Sequence, residues 1–213
     1  MTAPQHLHIE LLSDTTFSRG SGNAGIVDVE VEHDEMGVPL LHGKTLHGLL
    51  RDTWLSMSEH FPDLKNAALR IFGPAGDLHE TGILHVGTAT LESQALEWIR
   101  YATRRTDYPV SPDHILHAFT SIRRQTSESR ETGAPEAVTL RSSRVITRGL
   151  TLISHLRWLE DPTPNDLRCL AMAALGTRHA GWARNRGRGR LRLSFDGNVE
   201  QTRNLCATQQ GQS

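Results

Sequence analysis

Residues 176–195 read GTRHAGWARNRGRGRLRLSF and set Arg178, Arg184, Arg186, Arg188, Arg190 and Arg192 among four glycines with no carboxylate between them. Guanidinium groups fork onto phosphate oxygens and stack on bases, while Gly181, Gly187 and Gly189 let the backbone reach positive φ and come close to a ligand. The chemistry open to this stretch is the binding of an anion. A disordered Arg/Gly tail would bind nucleic acid loosely. The alternation of Leu191, Leu193 and Phe195 instead reads as a strand with one buried face, which mounts the loop on a sheet.

Two further stretches carry chemistry-bearing types. Residues 26–32 (IVDVEVE) follow the glycine loop FSRGSGNAG and alternate, so Ile26, Val27, Val29 and Val31 form an apolar set and Asp28, Glu30 and Glu32 share the opposite face. Asp28 is there either a catalytic carboxylate or a solvated strand residue, and spacing alone favours the second. Gly43, Lys44 and Thr45 open a helix, where free amides and the positive dipole end suit an anion. A nucleotide P-loop fails here because its first glycine would fall at 38, which is Val38, with Gly37 one place early. His42 and His47 lie five apart and share no helix face, so they read as polar neighbours of a site. His114 and His117 lack a Cys or Glu to complete a metal motif.

The elements that must position these residues follow in order. Residues 6–12 read as a strand and 13–25 as a polar, Gly-rich loop. After a turn at 34–37, a helix begins at Gly43 with Leu46, Leu49, Leu50, Trp54 and Leu55 at helical spacing. Residues 66–72 predict a short helix stopped at Gly73-Pro74, and 82–91 a strand. The stretch 92–120 is mixed, with Leu96, Trp98, Ile99 and Tyr101 assigned to the core. Residues 120–140, nearly free of apolar side chains and holding Gly133 and Pro135, predict a protruding hairpin or mobile loop. Strand character resumes over 145–158. Asp166 starts a helix whose stripe is Leu167, Leu170, Ala171, Ala174 and Leu175, and this helix feeds the Gly/Arg loop. Residues 197–213 are polar and predict a disordered tail, leaving 1–196 as one domain.

With 213 residues the chain can bury an adequate core without staples. Cys169 and Cys206 make neither a disulfide framework nor a metal spacing, which fits a reducing, cytoplasmic setting. No leader pattern and no apolar run of about 20 residues is present, so an unexported, soluble protein with no membrane partner is expected. The net charge of −1 hides an asymmetry: residues 1–100 hold 14 acids against 6 Lys+Arg, and residues 101–213 hold 10 against 17. Between Arg141 and Arg192 there are 11 Arg and 3 acids, enough for a basic face that recruits a polyanion.

The succession of strand, Gly loop, Asp28, GVPLLHGKTLHGLLRDTW, IFG at 71–73, GILHVGTATL, an Arg-bearing hairpin, a helix and GWARNRGRGRLRLSF resembles the RAMP superfamily of CRISPR proteins over residues 7–196. It is most similar to the repeated backbone subunit of type III effector complexes. That family starts its first helix with P-x-x-P-G-[ST]-[ST]-L-[KR]-G; here His42 replaces the second proline, Lys44 the first Ser/Thr and His47 the usual Lys or Arg. The resemblance implies an α+β fold, a ferredoxin-like (RRM-like) palm with an inserted thumb hairpin at about 121–140. It implies CRISPR RNA held by Gly43, Lys44, Thr45 and Arg51 and by the Gly181–Arg190 loop through Arg184, Arg186, Arg188 and Arg190. The thumb, with Arg123, Arg124 and Arg130, would splay a nucleotide of the guide and target duplex at regular intervals.

By the same resemblance Asp28 stands where the family carries its target-cleaving aspartate. Mg²⁺ or another divalent cation would assist, with no protein metal ligands assigned. Implied partners are CRISPR RNA, target RNA, other copies or paralogues, and the large polymerase-domain and small subunits. The alternatives are a non-catalytic scaffold subunit, a CRISPR RNA-processing endonuclease of the same superfamily using a histidine such as His42 or His47, and an unrelated Arg/Gly RNA-binding module.

Overall fold

The computed structural model describes residues 3–74, 81–126 and 140–207. In chain order its elements are β1 (His6–Leu11), α1 (Gly43–Met57), α2 (Lys65–Phe72), β2 (Leu84–Val86), α3 (Ser93–Arg104) and α4 (Pro112–Phe119). They continue with β3 (Thr120–Gln125), β4 (Arg141–Ile146), β5 (Thr151–Trp158), α5 (Pro164–Gly176), β6 (Leu191–Phe195) and α6 (Val199–Cys206). In β1, Leu7, Ile9 and Leu11 alternate with His6, His8 and Glu10, giving a strand with one buried face. β1 therefore sits inside a four-stranded sheet of order β2-β5-β1-β6, antiparallel throughout. Two β-α-β units, β1-α1-β2 and β5-α5-β6, interleave in this order, which is the ferredoxin-like arrangement within an α+β fold.

The helices that cover the sheet follow from their apolar stripes. α1 buries Leu46, Leu50 and Trp54, and α5 buries Leu170, Ala171, Ala173 and Ala174, small side chains that let it lie close to its neighbours. α5 starts on a capping box, in which Asp166 N donates to Thr163 Oγ1 at 3.2 Å and Thr163 N donates to Asp166 Oδ2 at 2.8 Å. Arg70 of α2 reaches the same carboxylate at 3.3 Å and so ties α2 to the helix start. No helix among the described residues is long and apolar enough to cross a membrane.

Between β2 and β5 the chain inserts α3, α4 and a separate two-stranded ribbon, β3 paired antiparallel with β4 from Thr120↔Ile146 to Gln125↔Arg141. The single strand expected over 145–158 is thus two, broken where Gly149 turns at φ 89°. Residues 127–139 of the expected hairpin, Arg130 included, lie outside the described residues. The mixed stretch 92–120 forms α3 and α4, the latter capped by Ser111 and opened by Pro112. On α3 only Ile99 turns fully inward; Trp98 and Tyr101, assigned to the core, are 67% and 62% exposed because helical spacing puts them on the outer side. Leu55 likewise faces out. The strand expected at 82–91 is three residues of β2 followed by single bridges at Ala89 and Thr90. The polar tail is not frayed where described: Asn198 caps α6, and buried Thr202 accepts a hydrogen bond from Phe195 N at 2.8 Å.

Residues 26–32 do not form the expected strand. Residues 28–30 run beside β4 in parallel: Asp28 N and Val29 N donate to Ser142 O at 3.0 and 3.2 Å, and Arg144 N donates to Val29 O at 2.9 Å. This register carries Glu30 inward rather than onto the acidic face. Its Oε1 accepts from Arg144 Nε at 2.8 Å and from Val31 N at 2.9 Å, and both charged side chains are 4% exposed. Removing one partner strands a buried charge, so Glu30→Ala or Arg144→Ala is expected to cost about 3–5 kcal/mol. Glu30→Leu combined with Arg144→Met costs less than either, and urea unfolding of the three variants checks the order.

Candidate nucleic-acid interface

The parallel register of residues 28–30 on β4 determines where the Asp28 carboxylate goes. Asp28 stands opposite Ser142, whose backbone N and side-chain Oγ both donate to Asp28 Oδ2, at 2.6 and 3.0 Å. The residue is exposed, and both bonds from Ser142 fall on Oδ2, so Oδ1 is not engaged by Ser142. The backbone amide of Ser142, then its hydroxyl, then the positive charge of Arg141 hold the Asp28 pKa below the ordinary aspartate value. The side chain is therefore an exposed, ionised carboxylate held through Oδ2. Arg124 pairs with Ser142 across the ribbon, so its side chain leaves the same face as Ser142, one strand further from Asp28.

The Gly/Arg loop is fastened to the same strand from the other side. Arg188 is buried; its Nη1 donates to Ser143 Oγ at 2.8 Å and its guanidinium lies 5.7 Å from the Trp182 ring. Burial, then repulsion from Arg123, lowers its pKa. Arg188 is thus a strut and not one of the outward contacts that its place in the Arg series suggests. The loop backbone is held by Ala180 N to Gly189 O at 2.9 Å, Trp182 N to Thr16 O at 2.8 Å and Gly189 N to Asp14 O at 3.0 Å. Gly189 is required, since its φ is 70° and a Cβ there would stand 2.0 Å from Ala180 O. At the tip, Ala183 and Gly187 adopt left-handed backbone around a short 3₁₀ turn, and Arg184 and Arg186 project from it, exposed as Arg190 also is.

Other expected contacts fall elsewhere. Arg123 is engaged by Asp14, with Nη2 to Oδ2 at 2.6 Å and Nε at 3.0 Å, and so braces the ribbon against the loop that follows β1. Gly43 is buried so tightly that a Cβ would meet Val86 O at 2.1 Å, which seats the start of α1 on β2. Lys44 and Thr45 are exposed in that first turn, and no side chain caps it among the described residues, so the helix start keeps its anion-attracting end open. Lys44 shares a recess with His47, Phe72, Gly82 and His85, whereas Arg51 lines a different groove with Trp54, Lys65 and Leu69. His42 points to Glu32 at 3.1 Å, and His47 stands edge-on to Phe72 with ring centres 5.5 Å apart. The ribbon therefore unites Asp28, Arg124 and the Gly/Arg loop, and the start of α1 forms a separate corner.

Local spacing gives no sign of Ser142, Ser143, Arg141, Arg144 or Asp14 as parts of this interface. Nothing nearby marks the serines, because their partners are far along the chain; Ser142 and Asp28 are 114 residues apart. If the Ser142 hydroxyl helps hold the carboxylate, Ser142→Ala raises the Asp28 pKa toward the ordinary value and Ser142→Thr leaves it low. A ¹³C NMR titration of the Asp28 carboxyl reads this directly, and an unchanged midpoint in Ser142→Ala excludes the hydroxyl as a contributor.

A family model described as the RAMP superfamily matches residues 8–192. No curated protein matches the sequence. Among solved structures, a chain of the cryo-EM structure of the type III-B Cmr-beta bound to cognate target RNA aligns with a TM-score of 0.65 at 12% identity, covering 94% of this chain and 99% of that one. A chain of the type III-B Cmr-beta structure in its apo state aligns with a TM-score of 0.65 at 13% identity, covering 92% and 98%. At these identities the likeness is one of fold.

Proposed function

Because the chain belongs to the RAMP superfamily, we propose that it is a backbone subunit of a type III CRISPR effector, which binds CRISPR RNA and cuts complementary target RNA at regular intervals with Asp28. The observation that carries this reading is the exposed, ionised Asp28, held on β4 by Ser142 near the charge of Arg141 while Ser143 of the same strand anchors the Gly/Arg loop. The fold shared with chains of type III-B Cmr-beta, one of them bound to cognate target RNA, supports it. Its partners in this reading are CRISPR RNA, target RNA, further copies or paralogues, and the large polymerase-domain and small subunits of the effector.

The reaction is attack of a ribose 2′-oxygen on the adjacent phosphorus. The bond to the 5′-oxygen breaks, leaving a 2′,3′-cyclic phosphate and a 5′-hydroxyl; the 2′ proton passes to a base, and the leaving oxygen takes a proton from water. A-form RNA resists in-line alignment of these atoms, and splaying a nucleotide removes that constraint. A carboxylate with a lowered pKa is a weak base but a good hydrogen-bond acceptor. Asp28 Oδ1 accordingly orients the 2′-hydroxyl and receives its proton only as the new bond to phosphorus forms. Arg124 and Arg141 supply positive charge toward the phosphate. Arg184, Arg186 and Arg190, with Lys44, Thr45 and Arg51 at α1, hold the guide backbone.

Among the described residues no three His, Cys, Asp or Glu side chains gather as a metal cage. A hard cation such as Mg²⁺ keeps water and takes one or two carboxylates plus substrate phosphate, a requirement that the exposed carboxylate of Asp28 fits. When bound there it would neutralise charge on the phosphate. The test is cleavage of a labelled, guide-complementary RNA by the assembled complex with Mg²⁺. Asp28→Ala is expected to abolish the regularly spaced cuts with guide binding unchanged. Cuts that persist in the variant, or a wild type that never cuts, would leave the chain as a scaffold.

A further inference from the structure

A groove with an approximate volume of 680 Å³ runs between the edge of β6, the end of α5 and α6, lined among others by Arg178, His179, Arg190, Arg192 and Arg203. No carboxylate is among its lining residues. Two acids pair with its arginines: Glu10 accepts from Arg192 Nε at 2.9 Å, and Glu200 from Arg203 Nη1 at 2.6 Å. Arg178 and Arg190 have no acidic partner among the described residues, so the groove keeps an excess of positive charge.

The backbone around it is rigid. Leu191 N donates to Arg178 O at 2.9 Å, Arg190 N to Ser13 Oγ at 2.9 Å, and Leu12 N to Arg190 O at 2.8 Å. Arg190 and Arg192 project from the same side of one extended segment, about 6.8 Å apart by strand geometry, a ladder suited to successive phosphates. Arg190 also belongs to the Gly/Arg loop, so the groove continues the line of Arg184 and Arg186 past the loop and shares no lining with Asp28.

We propose that this groove is a second phosphodiester-binding path, in which Arg178, Arg190, Arg192 and Arg203 carry single-stranded RNA onward from the Gly/Arg loop along the edge of β6. The ligand class rests on the RNA-binding reading above; the groove adds the place and the residues. A row of guanidinium groups carried on a hydrogen-bonded backbone predicts sequence-independent, salt-sensitive binding.

The test measures the affinity of the full chain for a labelled single-stranded RNA across a series of NaCl concentrations. Neutralising one arginine that pairs with a phosphate lowers the slope of log K against log salt by about 0.7 for a single strand. Arg178→Gln with Arg203→Gln is therefore expected to lower it by about 1.4, and Arg178→Lys with Arg203→Lys, which keeps the charge, to retain the wild-type slope. An unchanged slope in the Gln pair, while Arg184→Gln with Arg186→Gln lowers it, overturns the groove and leaves the RNA-binding reading standing. A Gln pair that binds RNA normally but drops out of the assembled complex identifies a protein interface and overturns it as well. A wild type without salt-dependent RNA binding removes the parent reading and this one together.

Discussion

The buried pair of Glu30 and Arg144 fixes the rest of the interface. Two charges out of water tolerate one geometry, in which Glu30 meets Arg144 at 2.8 Å and takes a second hydrogen bond from Val31 N. A slip of one residue would put Val29 against the guanidinium and leave both charges unmatched. The pair thereby registers residues 28–30 on β4, and that register alone brings Asp28 to the Ser142 amide and hydroxyl. Whatever a buried ion pair adds to net stability, its use here is to choose one alignment of an irregular segment that lacks a continuous ladder of its own.

A division of labour follows between the two sheets. The ferredoxin-like sheet is closed by α1 and α5 over an apolar core, and it seats the fixed ends of both candidate anion-binding segments: Gly43 against Val86, and the Gly/Arg loop between α5 and β6. The ribbon of β3 and β4 stands outside that sheet and carries polar and charged residues. Its strand β4 is shared: Ser142 serves Asp28, Ser143 serves Arg188, and Arg144 serves Glu30. Three consecutive residues thus connect the candidate carboxylate, the basic loop and the registering pair. Arg123 bound to Asp14 braces the ribbon to the chain that leaves β1.

The basic surface is less uniform than its composition suggests. Of the arginines between 178 and 192, Arg188 is consumed in packing on Trp182 and Ser143, Arg192 shares a half-exposed ion pair with Glu10, and Arg184, Arg186, Arg178 and Arg190 remain without an acidic partner among the described residues. A tally of charges sets the sign of the partner. Only burial and pairing decide which of those charges can meet it.

The sequence by itself determined the elements that rest on local periodicity and caps: β1 from its alternation, α1 from Gly43 onward, α5 and β6, and with them the mounting of the Gly/Arg loop. Their order, with Asp28 after a glycine loop, also sufficed to indicate the superfamily. The α3 and α4 helices stayed hidden in the mixed stretch 92–120, where Trp98 and Tyr101 were assigned to the core although on a helix they lie on the outer side from Ile99. The alternation at 26–32 predicted a strand, because a period of two cannot tell a solvated acid from one whose partner lies 114 residues away. Only the tertiary structure decided that Glu30 is internal, that Ser142 fixes the Asp28 carboxylate and that Arg188 is a strut. Each of these is a long-range pairing of polar groups, and such pairings leave no mark in local spacing.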